Sequence, residues 1–251
     1  MKALILAAGR GKRLGEHPGD GNKCMLELFG KPLVQYSLEN AVRAGVNEIV
    51  MVVGYRAEAI INCFGIDFLG VRIRYVIQEE PRGLVNAIET AEEVIDGADF
   101  MLFLADEILW HPHHEEMVRQ FEEEDLFVIC GVVDEPDADE IRKTYALIQD
   151  DRDRRIYRLI EKPRHPPNGV RGTGNCIFRA KIFEYVPLTP INQHRREREL
   201  PDLIQCAIDD GLMVKAFDIG DGYVNINTPE DVAIAERENR HFIDGFNPGT
   251  E

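Results

Sequence analysis

Short β-branched runs alternate with longer amphipathic stretches throughout the first half of the chain. A period of two indicates a strand and a period near 3.6 a helix, so this alternation is typical of βαβ units. The predicted strands are residues 2–8, 48–53, 71–77, 100–105 and 127–133, and the predicted helices are residues 33–44 and 84–95. We therefore expect an α/β fold with a doubly wound, mostly parallel, Rossmann-like sheet.

Beyond Asp134 the pattern changes to strand-like pieces at residues 145–149, 156–161 and 173–178, separated by turn-rich segments. We interpret this part as an inserted β portion that covers a ligand. The chain then returns to a helix near 200–209, a strand near 214–217 and a last helix that begins at Thr228-Pro229. Because ligands bind at the carboxyl ends of parallel strands, the residues that follow Leu6, Ile77 and Leu104 are the first candidates for function.

Charge and composition exclude several classes of function. The 251 residues include 45 acidic and 29 basic side chains, a net charge of -16, which argues against a nucleic-acid-binding surface. No segment approaches the roughly 20 apolar residues of a membrane helix, and the N-terminus lacks a signal-peptide pattern, so we expect a cytoplasmic protein without membrane contact. The five cysteines are scattered and predict neither disulfides nor a zinc site.

A glycine-containing turn follows the first predicted strand. Its backbone N–H groups and cations suit a triphosphate; the residues concerned are Leu6, Ala7, Ala8, Gly9, Arg10, Gly11, Lys12 and Arg13. Gly9, Gly11 and Gly15 also imitate the spacing of a dinucleotide-binding turn, so an NADP-dependent reductase is an alternative at this point.

A second motif, Asn22-Lys23-Cys24-Met25-Leu26-Glu27-Leu28 followed by Gly30-Lys31-Pro32-Leu33, lies shortly after this turn. The two motifs together resemble the signature of the sugar-1-phosphate nucleotidylyltransferases, with Asn22 in the place of the usual proline. The resemblance implies that Arg13 binds the β- and γ-phosphates of an NTP and that Lys23 neutralises the α-phosphate. Both cations would stabilise charge in the transition state, and we count both as catalytic.

The segment after the third predicted strand resembles the base-binding motif of the same family. Gln78, Pro81 and Gly83 match its fixed positions, and Gln78 and Gly83 are expected to hold the base. A glutamine amide offers one donor and one acceptor, which suits uracil, thymine or cytosine. The nucleotide is therefore expected to be CTP, UTP or dTTP.

The metal and acceptor residues are also implied by the resemblance. Asp106 matches the catalytic aspartate that binds Mg²⁺, and Asn225 matches the second metal ligand, which is aspartate in many members and asparagine in some. A hard cation that bridges phosphates needs few protein ligands. The acceptor is expected to contact Tyr145, Glu161, Lys162, Gly174 and Asn175, with Lys162 on its phosphate.

The resulting expectation is a single nucleotidyltransferase domain over residues 1–251. Residues 1–133 would mainly bind the NTP, 134–220 the acceptor, and 221–251 would supply the metal-site turn and a closing helix. It would transfer a nucleotidyl group to a sugar 1-phosphate with Mg²⁺ and release pyrophosphate. Phosphocholine, inositol phosphate or a phosphonate remain alternative acceptors for a cytidylyltransferase, and a non-catalytic nucleotide sensor remains a further alternative.

Two further expectations concern surfaces. The resemblance suggests a homo-oligomer, because many relatives assemble. The run Arg195-Arg196-Glu197-Arg198-Glu199 mixes charges of both signs, and we interpret it as a solvated face. A contact from Glu199 or a neighbour to the substrate stays open as the alternative.

Overall fold

The structure, a computed structural model, describes residues 1–9 and 22–238. Its strands are β1 Lys2–Ala7, β2 Glu27–Leu28, β3 Lys31–Pro32, β4 Ile49–Val53, β5 Asp67–Phe68, β6 Val71–Ile77, β7 Phe100–Leu104, β8 Glu107–Trp110, β9 Val128–Asp134, β10 Tyr145–Gln149, β11 Ile156–Glu161, β12 Val170–Phe178, β13 Ile191–Asn192, β14 Glu197–Arg198, β15 Val214–Asp218 and β16 Gly222–Asn225. Its α-helices are α1 Leu33–Arg43, α2 Ala57–Phe64, α3 Leu84–Thr90, α4 Glu92–Ile95, α5 His114–Glu123, α6 Ala138–Ile141, α7 Leu200–Asp209 and α8 Pro229–Glu238. Short 3-10 helices cover Lys23–Met25 and Ala180–Tyr185.

The central sheet is mixed and has a parallel centre. Its strand order is β11-β10-β12-β7-β1-β4-β6-β5, and β9 pairs with both β12 and β15. Strands β7, β1, β4 and β6 run parallel to one another, whereas β12 runs antiparallel to β7 and β9. The predicted doubly wound α/β fold is confirmed, and the antiparallel strands β10, β11 and β12 form most of the inserted portion.

Strand order reverses between β1 and β7. The chain proceeds from β1 outwards to β4 and β6, and then returns to place β7 on the other side of β1. The chain therefore leaves β1 and β7 side by side at one edge of the sheet, and ligands bind at the carboxyl ends of strands in folds of this type. Ala8 and Asp106 lie just beyond those ends.

Both faces of the sheet are buried. Along β1, Leu4 belongs to the core on one face, and Ala3 and Ile5 belong to the core on the other. Helices α3, α4 and α7 cover the first face, while α1, α2 and α5 cover the second. This two-sided burial explains why β1, β4 and β7 are nearly continuous apolar runs, whereas β6, next to the edge strand β5, has the exposed residues Arg72 and Arg74.

A separate two-stranded antiparallel sheet, formed by β8 and β16, brings the late part of the chain to the crevice. Strand β16 pairs antiparallel with β8, which places Asn225 opposite Glu107. Leu28, Ile108 and Ile226 belong to a small apolar cluster that packs against this two-stranded sheet. The two-stranded sheet therefore links the turn before α1, the end of β7 and the start of α8.

One predicted helix is interrupted. The expected helix at 84–95 is divided into α3 and α4 at Ala91. The Thr90 hydroxyl donates to the Asn86 carbonyl (2.7 Å), a local bond that competes with regular helical pairing. Helix α2 was not predicted; it begins after Arg56, a residue with a left-handed backbone (φ 56°).

Among the described residues, the helices are all too short or too polar to span a bilayer.

Truncation of the core should destabilise the fold strongly. Phe121 on α5 is fully buried, and the Arg179 guanidinium stacks on its ring at 4.3 Å. We expect Phe121→Ala to lower the free energy of unfolding by about 3–5 kcal/mol, because it leaves a cavity. Arg119→Ala, on the exposed side of the same helix, should change it by less than about 0.5 kcal/mol. Urea denaturation of both variants would measure this, and equal effects would contradict the assignment of the core.

Candidate active site

A cavity of about 430 Å³ lies in the crevice between the ends of β1 and β7. It combines backbone from the first loop, one ammonium group, two carboxylates and several apolar side chains. Its lining is Leu6, Ala8, Gly9, Lys23, Cys24, Gln78, Pro81, Gly83, Leu84, Ala87, Leu104, Asp106, Glu197 and Asn227. We call it the nucleotide cavity, after the residues that the sequence assigned to an NTP.

Local capping fixes the position of Lys23. The Asn22 side chain accepts a hydrogen bond from Cys24 N (2.9 Å) and so caps the short 3-10 helix that contains Lys23. The same amide donates to the Tyr55 carbonyl (2.9 Å), which fastens this helix to the loop after β4. Asn22 stands in the place of the usual proline and has a structural role. Its two side-chain hydrogen bonds hold this segment in position, as the rigid ring of a proline would.

Lys23 joins three distant parts of the chain. Its Nζ lies 2.5 Å from Asp106 Oδ2 and donates to Asn227 Oδ1 at 3.1 Å. Asp106 follows β7, and Asn227 follows β16. A largely buried ammonium needs such partners, since an unpaired charge would be costly. The Lys23 ammonium and the Asp106 carboxylate therefore lie side by side in the lining of the nucleotide cavity. Such a pair could serve the phosphates and a metal ion.

Oxygen donors surround this point. Asn227 Nδ2 donates to Asn225 Oδ1 (2.8 Å), and Ile226 N donates to the Asp106 carbonyl (2.9 Å), so the β16 turn is bound to the Asp106 turn. Carboxylate and amide oxygens are the donors that Mg²⁺ prefers. The donor set of Asp106, Asn225 and Asn227 therefore fits a hard divalent cation that also binds phosphate oxygens.

The predicted base-binding residues Gln78, Pro81 and Gly83 line the same cavity. Gln78 Nε2 donates to Asn86 Oδ1 (2.9 Å), and it lies 3.5 Å from the Gly83 carbonyl. Asn86 thereby orients the Gln78 amide and leaves its Oε1 as the atom that can accept from a base. Gly83 has φ +95°, a conformation that favours glycine, at the residue before α3.

A second cavity, of about 170 Å³, adjoins the first, and the two share the walls formed by Leu84 and Leu104. Its lining is polar and mixed in charge: Glu107, Lys143, Thr144, Tyr145, Glu161, Lys162, Gly172, Thr173, Gly174, Glu199, Leu200, Pro201 and Asn225 complete it. We call it the acceptor cavity. A molecule that filled it would lie beside the ligand of the nucleotide cavity.

Arg195 organises the charges of the acceptor cavity. Its guanidinium bonds Glu161 Oε1 (2.8 Å) and Glu199 Oε1 (2.9 Å), and Lys162 Nζ lies 3.0 Å from Glu161. Burial and the neighbouring Glu161 raise the pKa of Glu199. Arg195 and Arg196 are exposed, as expected of a solvated face. Glu199 is buried and lines the acceptor cavity, so the interpretation was wrong for this residue, and its contact with a substrate stays a prediction.

Glu107 connects the acceptor cavity to the end of β7. Its Oε2 accepts from Gly174 N (2.8 Å) and Asn175 Nδ2 (3.1 Å), and its Oε1 accepts from the Tyr223 hydroxyl (2.6 Å). Burial raises the pKa of Glu107 to about 7, and the Asp106 charge adds to this, against the opposing hydrogen bonds. Glu107 is thus a carboxyl group that changes protonation near neutral pH while it holds the strand that contains Gly174.

Most of the sequence-predicted residues line one of the two cavities. Leu6, Ala8, Gly9, Lys23, Gln78, Pro81, Gly83 and Asp106 line the nucleotide cavity, and Tyr145, Glu161, Lys162, Gly174 and Asn225 line the acceptor cavity. Ala7 is buried in the core beside the cavity. The predicted phosphate-binding residues Arg10, Gly11, Lys12 and Arg13 lie outside the described residues.

Asn175 has a different environment from the one expected. It does not line the acceptor cavity; its amide accepts from His114 Nε2 (3.0 Å) and donates to Glu107. Burial lowers the pKa of His114 to about 4, so the imidazole is neutral near pH 7. Gly172, Thr173 and Gly174 line the cavity, whereas Asn175 is buried behind it, in a part of β12 where the pairing with β9 is irregular.

Sequence reasoning missed Asn227, Glu107 and Glu197 as cavity residues. Asn227 stands two residues after Asn225, and Glu107 directly follows Asp106, so both were next to a predicted ligand. Their exact roles depend on the pairing of β8 with β16, which no local pattern specifies. Glu197 lay within the charged run and carried no other signal.

Known proteins with similar sequences are nucleotidyltransferases. The sequence model described as nucleotidyl transferase matches residues 2–233. The chain is 35% identical over 238 residues to a UTP–glucose-1-phosphate uridylyltransferase of Haloferax volcanii, which covers 94% of this chain and 96% of that protein.

Solved structures share the fold. UDP-glucose pyrophosphorylase complexed with UDP-glucose superposes with a TM-score of 0.85 at 21% identity, over 96% of this chain and 98% of that one. The inositol-1-phosphate CTP transferase from T. maritima superposes with a TM-score of 0.76 at 23% identity, over 98% of this chain and 97% of that one. At these identities the similarity establishes the architecture.

The raised pKa of Glu107 predicts a dependence of stability on pH. Its ordinary value is 4.5 and its folded value about 7, so between these pH values the folded chain binds a proton that the unfolded chain lacks. The contribution is complete below pH 4.5 and is lost as pH rises, by roughly 1.4 kcal/mol per pH unit. Glu107→Gln cannot ionise. Urea denaturation should therefore show its stability relative to the parent increasing by roughly 2–3 kcal/mol from pH 5 to pH 7, and parallel profiles would contradict this.

Proposed function

Because the chain belongs to the nucleotidyl transferase family and is therefore an enzyme of that type, we propose that it transfers a uridylyl group from UTP to a sugar 1-phosphate in a Mg²⁺-dependent reaction. The products would be a UDP-sugar and pyrophosphate. The observation that carries the proposal is the contact of Lys23 with Asp106 in the nucleotide cavity, which adjoins the acceptor cavity along Leu84 and Leu104. The reductase that the glycine spacing also allowed has no place in this family.

The reaction is a displacement at the α-phosphorus. An oxygen of the acceptor phosphate forms a bond to that phosphorus, and the bond from it to the oxygen that bridges to the β-phosphate breaks. Pyrophosphate leaves with the electron pair. A phosphate is already ionised near neutral pH, so no protein base is required, and the protein contributes position and charge.

Lys23 is the described cation that we assign to the transferred group. Its ammonium is held by Asp106 and Asn227, so it is oriented before substrate arrives and loses little freedom on binding. Such preorganised charge stabilises a transition state more than a mobile side chain does. Arg13 remains our proposal for the β- and γ-phosphates.

Asp106 and Asn225 would hold Mg²⁺, which when bound neutralises phosphate charge and helps to align the reacting oxygens. Asn227 would orient the Asn225 amide through its hydrogen bond. Asp231 in turn accepts from the backbone N–H groups of Asn227 and Thr228 (2.7 and 2.8 Å). The metal-binding turn is therefore fixed by the first turn of α8.

The lining of the acceptor cavity favours a polyhydroxylated acceptor. Carboxylates such as Glu161 and Glu199 accept hydrogen bonds from hydroxyl groups, and Lys162 suits a phosphate. A quaternary ammonium is usually bound by a cage of aromatic rings. Among the residues assigned to this cavity, Tyr145 is the aromatic one, and its hydroxyl is engaged by the Thr173 carbonyl. Phosphocholine is therefore disfavoured, whereas inositol phosphate stays the second candidate.

The preference for UTP rests on the Haloferax volcanii relative, whose name specifies UTP. Gln78 Oε1 can accept from the N3–H of uracil, and it can equally accept from the amino group of cytosine. The nucleobase is consequently a matter for direct measurement.

The test is pyrophosphate release with Mg²⁺ over a matrix of nucleotides and acceptors. UTP, CTP, dTTP, ATP and GTP would each be combined with several sugar 1-phosphates, inositol phosphate, phosphocholine and a small phosphonate. We expect the highest kcat/KM for UTP with a sugar 1-phosphate. Turnover only with CTP and inositol phosphate or a phosphonate would replace the proposal by a cytidylyltransferase, and the absence of turnover with every pair would reject it.

Asp106→Asn keeps the shape of the side chain and removes its charge. We expect kcat to fall by roughly 10²–10⁴-fold, because a metal contributes several kcal/mol to a phosphoryl transition state. Mn²⁺ binding, followed by electron paramagnetic resonance with UTP present, should weaken in parallel. Asp151→Asn, on an exposed turn, is the matched control and should leave both measurements unchanged. Normal turnover by Asp106→Asn would remove Asp106 from the metal site.

A further inference from the structure

Glu197 is an unexplained carboxylate of the nucleotide cavity. It lies on β14, at the end of the hairpin formed with β13, and this hairpin packs against α3. Among the described residues that line the cavity, Asp106 and Glu197 are the two acidic ones. Asp106 is accounted for by Lys23, whereas the catalytic scheme above gives Glu197 no role.

Glu197 lies directly beside Gly83, one of the predicted base-binding residues. A Cβ atom placed on Gly83 would lie 2.8 Å from Glu197 Cβ and 2.9 Å from its Oε2. Glycine at position 83 therefore allows the Glu197 side chain to lie directly against the segment that leads into α3. A larger residue at 83 would displace it.

The Glu197 carboxylate has no hydrogen bond or ion pair with any residue that the structure describes. The neighbouring carboxylates differ in this respect, because Arg195 bonds both Glu161 and Glu199. A half-buried carboxylate with unused acceptor capacity is suited to a ligand that brings hydrogen-bond donors.

The chemistry of a nucleotide limits what such a group can contact. An ionised carboxylate only accepts hydrogen bonds, and the triphosphate is itself an anion without donors, so contact between the two would be repulsive. The donors of a nucleotide are the ribose hydroxyls and the base N–H groups. Gln78, positioned by Asn86, already supplies an acceptor for the base edge.

The ribose is covalently placed between the base and the phosphates. Gly83, a predicted base-binding residue, and Lys23, which we assign to the transferred phosphate, both line the nucleotide cavity. The two oxygens of one carboxylate can accept from both hydroxyls of a 2′,3′-diol, and an acidic residue on the ribose 2′-hydroxyl is an established arrangement in other nucleotide-binding folds.

We propose that Glu197 binds the ribose hydroxyls of the NTP and makes the enzyme select ribonucleotides over 2′-deoxyribonucleotides. This specificity rests on the proposed nucleotidyl transfer, and it predicts discrimination between UTP and dUTP, which differ only in the 2′-hydroxyl. A hydrogen bond to a charged acceptor corresponds to a preference of roughly 10- to 100-fold.

The experiment compares UTP and dUTP with the parent protein and with Glu197→Ala. Calorimetry with Mg²⁺ and each nucleotide would give the two affinities, and pyrophosphate release with the best acceptor would give the two values of kcat/KM. For the parent we expect UTP to be favoured by roughly 10- to 100-fold in both measurements. In Glu197→Ala this ratio should fall to within about threefold of one, chiefly through weaker use of UTP.

The ratio separates a specific role from a structural one. A general loss of stability or a change of charge in the cavity would affect UTP and dUTP alike and would leave their ratio unchanged. Glu93→Gln, an exposed carboxylate on α4, is the control and should keep the parent ratio. Glu197→Gln retains one acceptor oxygen and should give an intermediate ratio.

Four results would overturn the proposal. Equal use of UTP and dUTP by the parent, or an unchanged ratio in Glu197→Ala, would remove Glu197 from the ribose site while nucleotidyl transfer stands. A change in the ratio of UTP to CTP without a change in the ratio of UTP to dUTP would assign Glu197 to the base. Failure of the parent to bind or use any NTP would reject the proposed function itself.

Discussion

The reversal of strand order between β1 and β7 is the constraint on which the site depends. Parallel pairing of these strands brings their carboxyl ends to one edge, where the nucleotide cavity lies. The residues that follow, the first loop after β1 and Asp106 after β7, are then close in space without any need for sequence proximity. Burial of both sheet faces makes this geometry rigid, because neither strand can shift without exposing apolar side chains.

The sequence predicted those parts of the fold and site that depend on local pattern. Apolar runs with the period of strands identified the central sheet, and motifs at strand ends identified Lys23, Gln78 and Asp106. It could not predict the break at Ala91, which arises from one side-chain hydrogen bond of Thr90. Glu107, Asn227 and Glu197 were equally beyond reach, since each enters a cavity through pairing between distant strands or hairpins.

Charge in this acidic protein is managed locally. The net charge of -16 would repel a triphosphate, yet cations lie in or beside both cavities and are held by carboxylates. Lys23 pairs with Asp106, and Arg195 with Glu161 and Glu199. The mutual attraction within each pair offsets part of the cost of removing its charges from water. Among the described residues, Glu197 forms no such pair.

The contact between Lys23 and Asn227 spans 204 residues of sequence. Loops of that length close late in folding, because their entropy is recovered only when the intervening structure has formed. During synthesis, β1, β4, β6 and β7 can pair once residue 104 has left the ribosome. The ammonium group of Lys23 acquires its amide partner only after another 123 residues, the difference between positions 227 and 104, have emerged. A nascent chain can therefore form the parallel centre of its sheet long before Lys23 meets Asn227, whereas β15, which ends at Asp218, emerges only shortly before Asn227.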